Sequence, residues 1–174
     1  MRIGILADTH DYLDPQVFEH FENCDEIWHG GDFGSVELAQ QLREFKPLRG
    51  VYGNVDDQAL RDLFPENDRF DCQGVSVWMT HIGGRPGRYD RQVAKMLAQD
   101  APQLFICGHS HILRIEQDKK HGGMIYLNPG AAGNHGFHLV KTIVTLEFVA
   151  GRMGNLKVIE LGARGTRHAK TRTG

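Results

Sequence analysis

The sequence has no excess of charge of either sign. Twenty lysines and arginines face 22 aspartates and glutamates over 174 residues, a formal net charge of −2. That excludes the broad positive field that draws a protein to nucleic acid or to an anionic membrane surface. Nucleic acid is therefore not an expected partner. Cysteine is scarce: Cys24, Cys72 and Cys107 are odd in number and lack CxxC spacing. They argue against a disulfide framework and for reduced thiols in a cytoplasmic protein. Long apolar runs are missing too. The stretch after Met1 meets Asp8 within one short strand, so no signal peptide is expected, and no segment approaches a membrane-spanning length.

What is present is an ordinary globular composition with one oddity. Hydrophobic residues make up 40% of the chain, and the length suits one domain with a real core. The oddity is histidine, of which there are ten. The run RIGILAD reads as a buried strand, DPQVFEHFENC as a helix opened by Asp14 and Pro15, and EIWHGGD as a second strand closing on glycines. SVELAQQLREF is expected to be a helix with Ser35 as N-cap, and PLRGVYGNVD a third strand. This alternation predicts a parallel sheet with helices packed on it. The rhythm then changes. DRFDCQGVSVWMTH predicts a hairpin around Gln73–Gly74, RYDRQVAKMLAQD a helix, and QLFICGHSH a buried strand. Two further hairpins follow, one turning at Lys119–Gly123 and one in HLVKTIVTLEFVAGRMGNLKVIEL, so the end is expected to be antiparallel. The whole reads as a mixed α/β sandwich, one domain over residues 1–162, with 163–174 as a loose basic tail. The stretch GFHLVKTIVTLEF leaves open a buried strand or one paired with a second copy in a homo-oligomer.

The chemistry lies at the strand ends. Five of them finish in polar residues among glycines: Asp8 with His10, Asp32, Asn54, His81, and His109 with His111. Ligands of open α/β sheets bind beyond the carboxyl ends of the strands. Side chains two apart on extended backbone point the same way, so each Asp/His or His/His pair is expected to aim two groups into one crevice. Four histidines, two aspartates and one asparagine are too many for one metal and too poor in carboxylate for calcium. Such sets suit manganese, iron, cobalt, nickel or zinc. Two ions about 3.5–4 Å apart, sharing one carboxylate, would use all seven. Their charge outweighs the two carboxylates, so the site would attract an anion such as a phosphate ester.

The order of these motifs resembles that of the calcineurin-like metallophosphoesterases: Asp8-Thr9-His10, Gly31-Asp32, Gly53-Asn54, Thr80-His81 and Gly108-His109-Ser110-His111. LNPGA, from Leu127 to Ala131, resembles a stretch in the small bacterial and archaeal phosphodiesterases of that superfamily. The resemblance implies an αββα sandwich of two mixed β-sheets flanked by helices, with a dinuclear centre. It implies that Asp8, His10 and His111 hold one divalent ion, that Asn54, His81 and His109 hold the other, and that Asp32 bridges them. Manganese is the foremost metal expected, with nickel, iron, cobalt or zinc also accepted. The implied activity is phosphodiester hydrolysis of a small-molecule substrate by in-line attack of a hydroxide bridging the metals. The same fold implies one alternative, a non-catalytic scaffold like the retromer subunit, though all seven ligand positions are filled here. Repair nucleases of this fold carry extra DNA-capping segments for which this chain has no room.

Two departures stand out. Larger members often carry a histidine directly after the asparagine as proton donor to the leaving group; Val55 stands there. Relatives often carry a second histidine after the position of His81; Ile82-Gly83-Gly84 stands there. Asp56 is the nearest replacement donor, with a turn or helix N-cap as its ordinary role. His29 is expected either to orient Asp32 or to bond locally. Arg85 and Arg88 are expected to meet a substrate phosphate or to be solvated. Cys107 reads as core. His20, His121 and His168 read as surface residues, while His135 and His138, after the NPG stretch, are placed near the crevice at most.

Overall fold

The computed structural model describes residues 1–165. The chain runs β1 (Arg2–Leu6), α1 (Gln16–Phe21), β2 (Glu26–His29), α2 (Val36–Phe45), β3 (Leu48–Gly50) and α3 (Gln58–Leu63). It continues through β4 (Asn67–Cys72), β5 (Val75–Thr80), β6 (Gly84–Arg85), β7 (Arg88–Tyr89), α4 (Arg91–Gln99) and β8 (Leu104–Ile106). It closes with β9 (Arg114–Asp118), β10 (Met124–Asn128), β11 (Val140–Val149) and β12 (Arg152–Ala163). One sheet has the order β12-β11-β1-β2-β3, the other β4-β5-β8-β10-β9, and β6 pairs only with β7.

Period-2 alternation explains why the sheets stack and why helices cover them. Val77 and Met79 of β5, with Leu104 and Ile106 of β8, face Ile3, Ile5 and Trp28 of the first sheet in one apolar core. Trp78 and Phe105 point the other way and pack with Val93 and Leu97 of α4. On the far side of the first sheet, Leu6 and Ile27 pack with Val17 and Phe21 of α1 and Leu38 and Leu42 of α2. The result is the expected four-layer αββα sandwich of mixed sheets. Among the described residues, no helix is long and apolar enough to cross a membrane.

Local signals behave as their chemistry dictates. Ser35 caps α2 by accepting from Leu38 N at 3.3 Å. Gln73 (φ 54°) and Gly74 (φ 86°) form the tight turn of the β4–β5 hairpin, the left-handed pair that matches strand twist. Three expectations are refined. The cap of α3 is Asp57, which accepts from Leu60 N at 3.1 Å, not Asp56. The C-terminal part is not wholly antiparallel, because β10 pairs with β8 in parallel as well as with β9. The glycine-rich stretch after His81 folds into the short β6–β7 hairpin. Strand β11 is paired within the chain on both edges, to β1 and β12, so the part of GFHLVKTIVTLEF from Val140 on is an interior strand of its sheet. The basic tail expected over 163–174 lies, from residue 166 on, outside the described residues, and His168 with it.

Candidate metal centre

Strands β1, β2 and β3 run parallel, as do β5, β8 and β10. Their carboxyl ends open on one crevice, and all seven expected residues meet there. Asp8, His10 and His111 form one cluster of potential donors, and Asp32, His81 and His109 a second. Asn54 joins the second cluster, its Oδ1 3.2 Å from His81 Nε2. Asp32 lies between the two: its Oδ2 is 3.2 Å from His81 Nε2 and 3.7 Å from His10 Nε2. Asp8 Oδ1 is 3.3 Å from His111 Nε2, and the ring nitrogens of His10 and His111 approach to 3.1 Å.

These spacings test whether a metal fits. Ligands about 2.1 Å from one ion lie about 3–3.4 Å from each other. Within each cluster the closest donor pairs fall in that range. His10 and His111 also aim two basic nitrogens at each other, an arrangement that a shared cation satisfies. The donor set therefore fits divalent ions of the nitrogen-accepting kind.

The backbone brings this about in a way the sequence does not announce. Asp8, His10, Asp32, His109 and His111 all have positive φ, between 47° and 66°. Side chains two apart thus do not share a direction through extended backbone, contrary to the expectation above; the strands have already ended and each of these five residues is left-handed. Such a conformation costs roughly 1–2 kcal/mol per non-glycine residue, least for Asp, Asn and His. It persists where neighbours over-determine it. Here Asp8 N donates to Gly31 O at 2.9 Å, His10 N to Asp32 O at 3.0 Å, and Gly133 N to Asp8 O at 3.1 Å. Gly53 is required for a different reason: a Cβ there would lie 2.0 Å from Asp32 Oδ1.

Asp8, Asp32 and His81 are also aimed from behind. His109 N donates to both oxygens of Asp8, at 3.2 and 3.1 Å. Val55 N donates to Asp32 Oδ1 at 3.0 Å, leaving Oδ2 to the crevice. His81 Nδ1 lies 2.8 Å from Gly30 O. A carbonyl only accepts, so Nδ1 carries the proton and Nε2 faces the site. Asn128, of the NPG stretch, holds the histidine-bearing loop by donating to Gly108 O at 2.8 Å and Ser110 Oγ at 3.1 Å.

The electrostatics differ across the site. Burial lowers the pKa of His10 despite Asp32 and Asp8 beside it. Burial also acts against a charged His81, but the hydrogen bond it donates to Asp32 and the charges of Asp8 and Asp32 raise its pKa. Burial pushes Asp32 up, yet the His81 contact and the Val55 N–H bring it below the usual range. His29 takes its local role. It is fully buried, stacked on Phe33 at 3.7 Å, accepts from Gly31 N at Nδ1 and meets Thr9 Oγ1 at Nε2, 3.0 Å away. Burial and the charge of His81 push its pKa down to about 3, so it is a neutral strut whose hydrogen-bond partners among the described residues are Gly31 and Thr9.

Asp56 is buried and accepts from Gly34 N at 3.0 Å and Gly53 N at 2.8 Å, clamping two ligand loops together. Cys107 is core. His135 stands beside His10 at 4.9 Å between ring centroids, and His138 beside His111 at 5.4 Å, so both line the crevice. His121 is not a surface residue; its Nδ1 lies 2.8 Å from buried Asp118. Spacing alone could not have found the contacts of Asp56 with Gly34, of Asn128 with Gly108 and Ser110, or of His29 with Thr9, because those partners lie 18–22 residues away.

The family model for the calcineurin-like phosphoesterase superfamily domain matches residues 1–151. A probable metallophosphoesterase of Methanocaldococcus jannaschii is 28% identical over 137 residues, covering 75% of this chain and 68% of that protein. A phosphodiesterase of the same organism is 29% identical over 150 residues, covering 75% and 83%. Among solved structures, Entamoeba histolytica Vps29 complexed with zinc superposes with a TM-score of 0.70 at 20% identity, over 95% of this chain and 100% of that one. A Thermotoga maritima protein solved in solution gives 0.70 at 22% identity, over 92% and 99%. At these identities the structural likeness speaks to the fold.

Proposed function

The chain belongs to the calcineurin-like phosphoesterase superfamily, and from that premise we propose that it is a dinuclear-metal-dependent phosphodiesterase of the cytoplasm, where its three unpaired, buried cysteines would stay reduced. The observation that carries the reading is the pair of donor clusters joined by Asp32 at ligand spacing. Asp8, His10 and His111 would hold one ion and Asn54, His81 and His109 the other, with Asp32 shared. Bound there, two divalent ions would supply positive charge for phosphoryl oxygens and acidify water for in-line attack on phosphorus.

The chain's own residues set the conditions for that chemistry. The Val55 N–H turns Asp32 toward the crevice, and the Gly30 carbonyl fixes the tautomer of His81. The Val55 side chain has no proton to give, and Asp56 is buried with its two oxygens engaged by Gly34 and Gly53. The leaving group therefore departs without an acid from this loop. General acid assistance is worth about 10²–10⁴-fold, so the rate should fall steeply as the leaving group becomes more basic. Metal analysis of the purified protein, then hydrolysis of a series of aryl phosphodiesters with manganese, nickel and zinc, tests the reading. About two ions per chain and turnover of the acidic phenyl esters are expected. A protein that binds no metal and turns over no ester would instead be the scaffold of the same fold.

A further inference from the structure

Two clefts flank the candidate centre, and they differ in charge. One, of about 350 Å³, begins at Asn54 and His81 and mixes Arg61 with Glu66 and Asp90. The other, of about 340 Å³, begins at His109 and is lined by Arg85, Arg88, Arg114 and Ser110. We propose that this second cleft binds a second phosphate group of the substrate, so that the ester cleaved at the centre is one that carries another phosphate on the same molecule. The inference rests on the phosphoesterase reading above and adds a substrate class to it.

Three observations carry it. First, Arg85 and Arg88 are paired directly across the β6–β7 ribbon. Like charges opposite each other are destabilising; both side chains are exposed at the cleft, with no hydrogen-bond or ion-pair partner among the described residues. An anion between them removes the repulsion and matches guanidinium geometry. Second, the ribbon is anchored rather than adrift: Tyr126, which also lines the cleft, donates to Gly84 O at 2.7 Å, so the arginines are held beside His109. Third, Ser110 is left as a donor. A hydroxyl has two acceptor sites and one proton. Its Oγ already accepts from Asn128 Nδ2 at 3.1 Å and from Ile112 N at 3.3 Å, and its proton has no acceptor among the described residues. Arg114 adds a third guanidinium, of which only Nε is engaged among the described residues, by Glu116 at 3.1 Å. The cleft thus offers donors and positive charge and, apart from that one carboxylate, no competing acceptor side chain among the described residues that line it.

The test uses thymidine 5′-(p-nitrophenyl phosphate) and the same ester with a 3′-phosphate, on metal-loaded protein. The 3′-phosphate should raise kcat/KM at least tenfold, and the ratio between the two esters should fall toward one in Arg85→Gln/Arg88→Gln and as ionic strength rises. Binding is read beside turnover, by calorimetry with thymidine 5′-monophosphate and thymidine 3′,5′-bisphosphate. A preference for the bisphosphate that the double variant abolishes supports the cleft even if neither ester is hydrolysed, in which case the reaction assigned above is what fails. Equal affinity for the two nucleotides, or a preference that the double variant retains, overturns the proposal.

Discussion

The two halves of the candidate centre are built differently. Asp8, His10 and His111 all stand on left-handed residues, and the Asp8–His10 loop is pinned by backbone hydrogen bonds to Gly31, Asp32 and Gly133. Asp8 is wholly buried, while His10 and His111 are half-buried. In the other half only His109 has a positive φ. His81 is buried and tied to Gly30, but Asn54 and His109 are exposed. The first half is therefore fixed mainly by the backbone hydrogen bonds around Asp8 and His10, whereas the second includes two exposed side chains, Asn54 and His109, that solvent can draw away. Preorganised ligands lose less freedom when an ion arrives, so the Asp8 half should hold its ion more tightly.

Removing the group the halves share should have the largest effect. Asp32→Asn deletes the carboxylate between them, and turnover should fall by about 10³-fold, the scale of losing a preorganised electrostatic group. Retention of the fold by circular dichroism separates this from unfolding; wild-type turnover and metal content would show that the halves do not depend on Asp32. Next, His111→Ala and His109→Ala should each lower metal content by about one ion per chain, from different halves, with the residual ion more weakly held in His111→Ala. Elemental analysis with manganese spin resonance distinguishes the two, and loss of the same signal in both would merge the halves. A smaller effect is expected beneath the site. Asp56→Ala leaves the N–H groups of Gly34 and Gly53 unpaired and should cost about 1–3 kcal/mol of stability, read by urea unfolding. Smallest is a difference in titration. In metal-free protein His81, with its raised pKa, should stay protonated to higher pH than His10, with its lowered one. The sign follows: His81 adds stability that is fully present below the unfolded value of about 6.5 and is lost as pH rises through its folded pKa. His10 instead opposes folding as pH falls below about 6.5, because its neutral form is the one the site favours. Ring proton NMR gives the order, and the reverse order would contradict the electrostatic difference between the halves.

Much of this was legible in the sequence, and the part that was not has a common cause. Alternation of Val77, Trp78 and Met79 announces a strand covered on both faces, Ser35 announces a helix start, and Gln73-Gly74 announces a hairpin, since each signal acts within a few residues. The seven candidate residues could be picked out because five strand ends repeat one chemical theme, and the fold brings them to one crevice. The left-handed backbone that aims five of them was not, because it is imposed by carbonyls more than 20 residues away, as between Asp8 and Gly31 or His10 and Asp32. Asp56 and Asp57 are equivalent as caps by composition; only the neighbouring loop amides of Gly34 and Gly53 decide between them. The clefts on either side of the centre likewise arise from the β6–β7 ribbon and loops that meet only in the folded chain.

The most direct test of a centre made of two halves joined at Asp32 is anomalous diffraction from crystals grown with manganese. Two peaks about 3.5–4 Å apart are expected, one among Asp8, His10 and His111, the other among Asn54, His81 and His109, with the Asp32 carboxylate touching both. A single peak, or two that leave Asp32 outside both coordination shells, would contradict it.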